Sequence, residues 1–235
     1  MSSLSIVVPI YNESRTIETL VAEIRKLPTN VVKETIFVND GSTDDSEEKL
    51  KLALSLKPMR HILISKKNGG KASAVIEGLK RANTTHVVIL DADLELDVSA
   101  IPELWQPVVD GESDSVFGYR EFRAHSSYTY RYVIGNKLIS HLYGMLFNQF
   151  ITDIMCGFKI FPRELIHYIP KNLKGFSIEV GVPIALWKIR QKPKEISVKY
   201  HPRSRHEGKI INYFDAFRVI GTLVKLRIVT RRQIT

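Results

Sequence analysis

The sequence predicts an α/β fold in which helices flank a mostly parallel central sheet. Three features lead there: short runs that are apolar throughout, helix-period segments between them, and polar, carboxylate-rich stretches directly after the runs. Strands buried on both faces of a parallel sheet read as continuous apolar runs rather than alternating ones.

Residues 4–9 form such a run, closed by Pro9. Ile17, Leu20, Val21, Ile24 and Leu27 follow at helical spacing. A second strand is expected over 35–38, then a helix with Ser42 as its N-cap and Asp44 and Asp45 in its first turn, where carboxylates suit the helix dipole. A third strand over 61–64, a helix over 71–81 and a fourth strand over 86–90 complete the alternation, which implies right-handed crossovers. The second half reads as a short strand over 114–118, then a long amphipathic helix striped by Ile134, Leu138, Leu142 and Leu146. A strand over 158–161 follows, with Pro162 able to open a helix. A helical pattern over 177–191, a strand over 195–200 and a last helix over 210–229 end the chain.

With 235 residues, 44% hydrophobic and 25% charged, and no polar linker or repeat, the chain is expected to form a single domain over 1–235. Charge divides it. Residues 1–117 carry 13 basic and 18 acidic side chains; residues 118–235 carry 21 and 7, a balance of +14. The second half therefore calls for an anionic partner, such as nucleic acid, lipid headgroups or a phosphorylated substrate. The single cysteine, Cys156, excludes an internal disulfide and suits a reducing compartment. The N-terminus lacks a basic, signal-like region, and the sequons at Asn12 and Asn83 read as chance. No stretch of about 18 apolar residues occurs; 132–151 comes nearest but is interrupted by Asn136, Lys137, Ser140 and His141.

The residues suited to chemistry follow the strands, where α/β sheets bind ligands. Asp91, Asp93 and Glu95 alternate at the end of the fourth strand and share one side if the chain stays extended. Clustered carboxylates repel unless a cation neutralises them, and an oxygen-only set suits Mg²⁺ or Mn²⁺ with phosphates completing the shell. A solvated acidic loop is the competing reading. Asp40 lies where a ribose or base can be hydrogen-bonded, with Gly41 permitting close approach, although a plain strand–turn–helix connection also accounts for it. Tyr11 is placed to stack on a base, and Asn12 or Glu13 to read its edge. The loop 66–71 fails the Walker pattern, since Ser65 and Ala72 stand at two required positions, yet it can bring a cation near a diphosphate.

Val-Val-Pro-Ile-Tyr-Asn-Glu (7–13), Val-Asn-Asp-Gly-Ser-Thr-Asp (38–44), Asn-Gly-Gly-Lys-Ala-Ser-Ala (68–74) and Asp-Ala-Asp (91–93) together resemble the family 2 glycosyltransferases. Within them the chain is similar to the polyprenyl-phosphate (dolichol-phosphate) mannose and glucose synthases, a likeness extending through 156–161, 175–179 and 203–209. The resemblance implies an A-type nucleotide-sugar transferase fold, with 1–117 as the nucleotide-sugar half and 118–235 as the acceptor half. It implies an inverting hexosyltransferase taking GDP-mannose or UDP-glucose as donor and a polyprenyl or dolichyl phosphate as acceptor. Pro9, Tyr11, Glu13, Asp40, Lys71, Asp91, Ala92 and Asp93 would bind the nucleotide sugar, and Asp91, Asp93 and Glu95 the Mg²⁺ or Mn²⁺. Glu95 and Ser177 depart from the family, where glutamine and, in some members, lysine are expected.

Arg120, Arg131, Arg203 and Arg205 then read as phosphate ligands, since guanidinium forks grip phosphate oxygens at two points. Asp93, Arg120, Arg131 and Arg205 form the expected catalytic set. A phosphate monoester, with its second pKa near about 6, attacks with little help from a base. A sugar hydroxyl needs one, for which Asp153 is the candidate unless it only holds the loop before Cys156. The alternatives are a sugar-hydroxyl or other lipid acceptor, a sugar-1-phosphate nucleotidyltransferase, and a nucleic-acid-binding protein. The missing glycine-rich N-terminal loop argues against the second and the carboxylate cluster against the third. The expected setting is cytoplasmic and peripheral to a membrane, with no nucleic-acid partner.

Overall fold

The computed structural model describes residues 2–120, 130–203 and 213–231, excluding the side chains of 130–132, 213–214 and 230–231. Seven strands form one sheet in the order β3-β2-β1-β4-β6-β5-β7. They are β1 (Leu4–Ile10), β2 (Val32–Asn39), β3 (His61–Ser65), β4 (His86–Ile89), β5 (Val116–Arg120), β6 (Lys159–Pro162) and β7 (Lys194–Val198). β1 to β4 are mutually parallel and β5 is parallel to β7; β6 runs antiparallel to both β4 and β5. The sheet is thus mostly parallel, as the continuous apolar runs predict. Pro9 is tolerated in a central strand because β4 pairs with β1 only as far as Val7.

Helices cover both faces. α1 (Ile17–Lys26), α2 (Ser46–Leu56) and α4 (Ile101–Val109) pack on the face bearing Ile6, Val8, Phe37, Val88 and Ile160. α3 (Lys71–Arg81), α5 (Tyr130–Phe147), α6 (Ile178–Lys188) and α7 (Tyr213–Arg231) pack on the face bearing Val7, Ile36, Val38, Val87 and Phe161. The alternation of side chains along each strand separates the two cores.

Four expectations need correction. Ser42 caps no helix: α2 begins at Ser46, and Ser42 instead donates to Asn39 Oδ1 at 2.7 Å. The buried stripe of α5 is Ile139, Tyr143 and Phe147 rather than Ile134 and Leu138, which face outward. Tyr143 turns inward because its ring stacks on Phe147, 5.0 Å away, and its hydroxyl reaches Gln149 at 2.9 Å. Pro162 ends β6 and precedes a 3-10 turn, not an α-helix. α4 was not anticipated.

Candidate active site

The carboxyl ends of β1, β2 and β4 converge on one rim of the sheet. The loops after β1 and β2 are laced together: Thr43 N donates to Asn12 Oδ1 at 2.8 Å and Glu13 N to Ser46 Oγ at 2.7 Å. Tyr11 projects from this rim, half exposed. Asp40 is buried, and its carboxylate accepts from Lys66 Nζ at 2.5 Å, Gly69 N at 3.0 Å and Gly70 N at 2.7 Å. In this arrangement Asp40 clamps the 66–70 loop instead of standing open to a nucleoside. Gly41 allows it: its φ is +72°, and a Cβ there would meet Asn68 N at 2.8 Å.

Beyond β4 the chain does not stay extended. Leu94 has φ +57°, so the alternation of Asp91, Asp93 and Glu95 breaks into a turn and the three side chains take different partners. Asp91 contacts Lys71 Nζ at 2.6 and 2.8 Å, and Lys71 also meets Glu179 Oε1 at 2.7 Å. Glu179, fully buried on α6, accepts in turn from Lys159. Lys71 is therefore counter-ion to two carboxylates. Burial alone would depress its pKa; Asp91 and Glu179 outweigh that and raise it. Glu95 is held by Tyr200 Oη at 3.0 Å and Arg203 N at 3.0 Å. That explains why glutamate serves at this position.

Asp93 differs. Burial first, then the neighbouring charges of Asp91 and Glu95, push its pKa up to about 7. Its cationic neighbour is Arg203, whose Nη2 lies 3.4 Å from Asp93 Oδ2. The same guanidinium forks onto Glu13 at 2.8 and 3.2 Å. Arg203, expected on phosphate, thus sits among carboxylates.

The described residues include no ready-made group of three acids or histidines placed to hold a metal. The donor chemistry nevertheless fits a hard divalent cation. Asp91 and Asp93 offer oxygens only, Asp93 is short of positive charge, and Arg203 already stands in as a cation there. Asp91 also lies in a close cradle, since a Cβ on Gly157 would come within 2.5 Å of Asp91 Oδ2.

Arg120 likewise has a protein partner. Its Nε and Nη2 grip Asp153 at 2.6 and 2.8 Å, both groups are largely buried, and its guanidinium carbon lies 5.1 Å from the Tyr200 ring centre. Burial would raise the Asp153 carboxyl, but the Arg120 bonds and charge outweigh it and lower it. Cys156 N bonds Asp153 O at 3.1 Å, so Asp153 holds the loop before Cys156. Arg205 lies outside the described residues; Arg131 falls in the first turn of α5 with its side chain outside them. Ser177 Oγ is 3.1 Å from Thr222 Oγ1, tying the start of α6 to α7. Lys159, Tyr200 and the part played by Glu179 were missed in the sequence, because a buried lysine on a strand and a tyrosine after one have no local signature.

The pattern of glycosyl transferase family 2 matches residues 5–169. The chain is 29% identical over 230 residues to a dolichol-phosphate mannosyltransferase of Pyrococcus furiosus, covering 94% of this chain and 64% of that protein. It is 28% identical over 211 residues to an undecaprenyl-phosphate 4-deoxy-4-formamido-L-arabinose transferase of Shewanella sediminis, covering 88% and 61%. The chain thus spans less than two thirds of both curated relatives. Among solved structures, glucosyl-3-phosphoglycerate synthase from Mycobacterium tuberculosis with UDP superposes at a TM-score of 0.76. That match covers 96% of this chain and 80% of the other at 21% identity. The same enzyme with Mn²⁺, UDP and phosphoglyceric acid superposes at 0.75, at 21% identity and 96% and 78% coverage.

Proposed function

As this chain belongs to glycosyl transferase family 2, we propose that it is an inverting, metal-dependent hexosyltransferase. In this reading it moves mannose or glucose from GDP-mannose or UDP-glucose onto a polyprenyl or dolichyl phosphate, as a single domain bound peripherally at the cytoplasmic face of a membrane. The observation that carries the reading is Asp93. It is a part-buried carboxyl at a strand's carboxyl end, loaded with like charge, beside Asp91 and within reach of an arginine. Support for the acceptor comes from the named activities of the polyprenyl-phosphate relatives, and for the metal from the Mn²⁺ complex of the mycobacterial enzyme.

Asp93 and Asp91 would hold Mg²⁺ or Mn²⁺, with Glu95 fixing the turn between them and Tyr200. The cation supplies charge neutralisation to the departing diphosphate. The chain's own part is positioning. Tyr11 and Pro9 line the nucleoside side, Asp40 shapes the pocket floor through the 66–70 loop, and Arg131 and Arg205 receive the acceptor phosphate. A sugar-hydroxyl acceptor is less well served, because both oxygens of Asp153, the candidate base, are spent on Arg120.

A panel of nucleotide sugars offered with a short polyprenyl phosphate, scored by product mass, tests the reading. Arg131→Ala should lose about 1.5–3 kcal/mol of acceptor binding, roughly ten- to a hundredfold in acceptor use, with nucleotide binding unchanged. Full turnover in that variant would move the acceptor phosphate elsewhere.

Membrane association has its own support. α5 and α7 pack together and turn Leu138, Met145, Phe217, Val224 and Ile228 outward, beside Lys137 and Lys225. Leu223 is buried and Ile220 and Leu226 pack on the core, so the outward face of α7 is narrower than its composition suggests. Among the described residues no helix is long and apolar enough to cross a membrane. Apolar insertion plus attraction to anionic headgroups is the mode such a face supports. The protein should float with anionic vesicles at low salt, and Leu138→Asp with Met145→Asp should abolish flotation. Equal flotation of that double variant would count against this face.

A further inference from the structure

We infer that Arg203 is the site's internal counter-cation, which must leave Asp93 before a divalent cation can settle there. Metal loading and release of the Arg203 guanidinium toward phosphate would then be one coupled exchange. The inference rests on the reading that Asp91 and Asp93 hold the metal.

The geometry is that of a temporary partner. The two terminal nitrogens of Arg203 fork onto Glu13 at 2.8 and 3.2 Å, while the approach to Asp93 is a single contact of 3.4 Å. Arg203 Nε is buried and makes no hydrogen bond, its nearest carboxylate oxygen being Glu95 Oε1 at 4.0 Å. A guanidinium that leaves one N–H unsatisfied and touches Asp93 only at long range gives up little by moving. The backbone is anchored nonetheless: Arg203 N donates to Glu95 Oε1, and His201 N to Glu95 O at 2.8 Å. The side chain can therefore change partners while its Cα stays beside the metal motif.

Electrostatics favours the exchange. A guanidinium and a divalent ion in contact with the same part-buried carboxylate repel each other where solvent screening is reduced. Glu13 is where the guanidinium remains when it gives up Asp93. A donor diphosphate, arriving with the metal, offers oxygens that match the fork better than a lone carboxylate edge. Positive coupling between metal and diphosphate follows, because the metal frees the group that the diphosphate uses.

The test is titration of Mn²⁺ alone, followed by calorimetry, into wild type, Arg203→Ala, Arg203→Lys and Asp93→Asn. Arg203→Ala should bind Mn²⁺ about tenfold more tightly than wild type, and Arg203→Lys should fall between. With Mn²⁺ saturating, Arg203→Ala should bind inorganic pyrophosphate several-fold more weakly. Unchanged or weaker Mn²⁺ binding by folded Arg203→Ala overturns the inference. If Arg203→Ala does not fold, Glu13→Gln decides: it leaves Arg203 to Asp93 and should weaken Mn²⁺ binding, and no change overturns the idea. Mn²⁺ binding that survives in Asp93→Asn overturns the metal assignment itself. Loss there with no change at Arg203 overturns only the exchange.

Discussion

Asp93→Asn should lower turnover by roughly 10²–10³-fold, the scale of losing one preorganised charge-stabilising group, while raising the melting temperature of the metal-free protein. The two effects share a cause. Burial, Asp91 and Glu95 all disfavour a charge on Asp93, and its pKa rises to about 7 from an ordinary value of 3.8. Between those values the folded protein binds a proton that the unfolded chain does not. Asp93's own contribution to the stability of the metal-free protein should therefore grow as pH falls from about 7 toward 4, so that wild type gains on Asp93→Asn across that range. Asparagine keeps the shape without the charge, so the variant should lack that dependence. Thermal melts across this range, with and without Mn²⁺, check it: wild type should gain from Mn²⁺ and the variant should not. A variant less stable than wild type at pH 7 without metal would show that the site is not under charge strain.

Asp153→Ala separates two roles that the sequence left open. Removing one partner of a buried, hydrogen-bonded ion pair takes from Arg120 its Asp153 carboxylate and should cost about 3–5 kcal/mol. For a chain of this length that is a fall in melting temperature of roughly 6–20 °C. A catalytic base would behave otherwise, with the fold intact and turnover lost. Calorimetry of Asp153→Ala that shows an unchanged melting temperature would restore Asp153 as a candidate base. Double replacement of Arg120 and Asp153 by apolar residues of similar volume should recover much of the lost stability without recovering activity.

The parts of this molecule that were legible in its sequence are those fixed by local periodicity. β1 to β4 read as continuous apolar runs because both of their faces are covered, and α3 was placed residue for residue by its spacing. α4 carries Ile101, Leu104, Trp105 and Val108 at helical spacing, but its internal Pro107 is a helix breaker by local rules and obscures that period in the sequence. The α5 stripe was displaced because leucines at every fourth residue mark only one of its apolar edges, and Tyr143 buries against Phe147. The site shows the same divide. Carboxylates at the end of β4 were visible as a motif; their partners were not. Lys71, Glu179, Arg203 and Asp153 meet their counter-ions across separations of 20 to 190 residues, and no spacing rule reaches that far. One positive φ at Leu94 was enough to undo the inference that three alternating carboxylates share a side.

The chain of contacts from Asp91 through Lys71 and Glu179 to Lys159 has a consequence for how this protein can change. Its four charges sum to zero, and Glu179 and Lys159 are almost wholly shielded from solvent. Replacing any one of them strands a net charge in a poorly solvated place, whereas replacing balanced pairs does not. For folding alone, substitution at these positions is therefore tolerated better in balanced pairs than singly. A library that randomises a single one of them will return the parent residue.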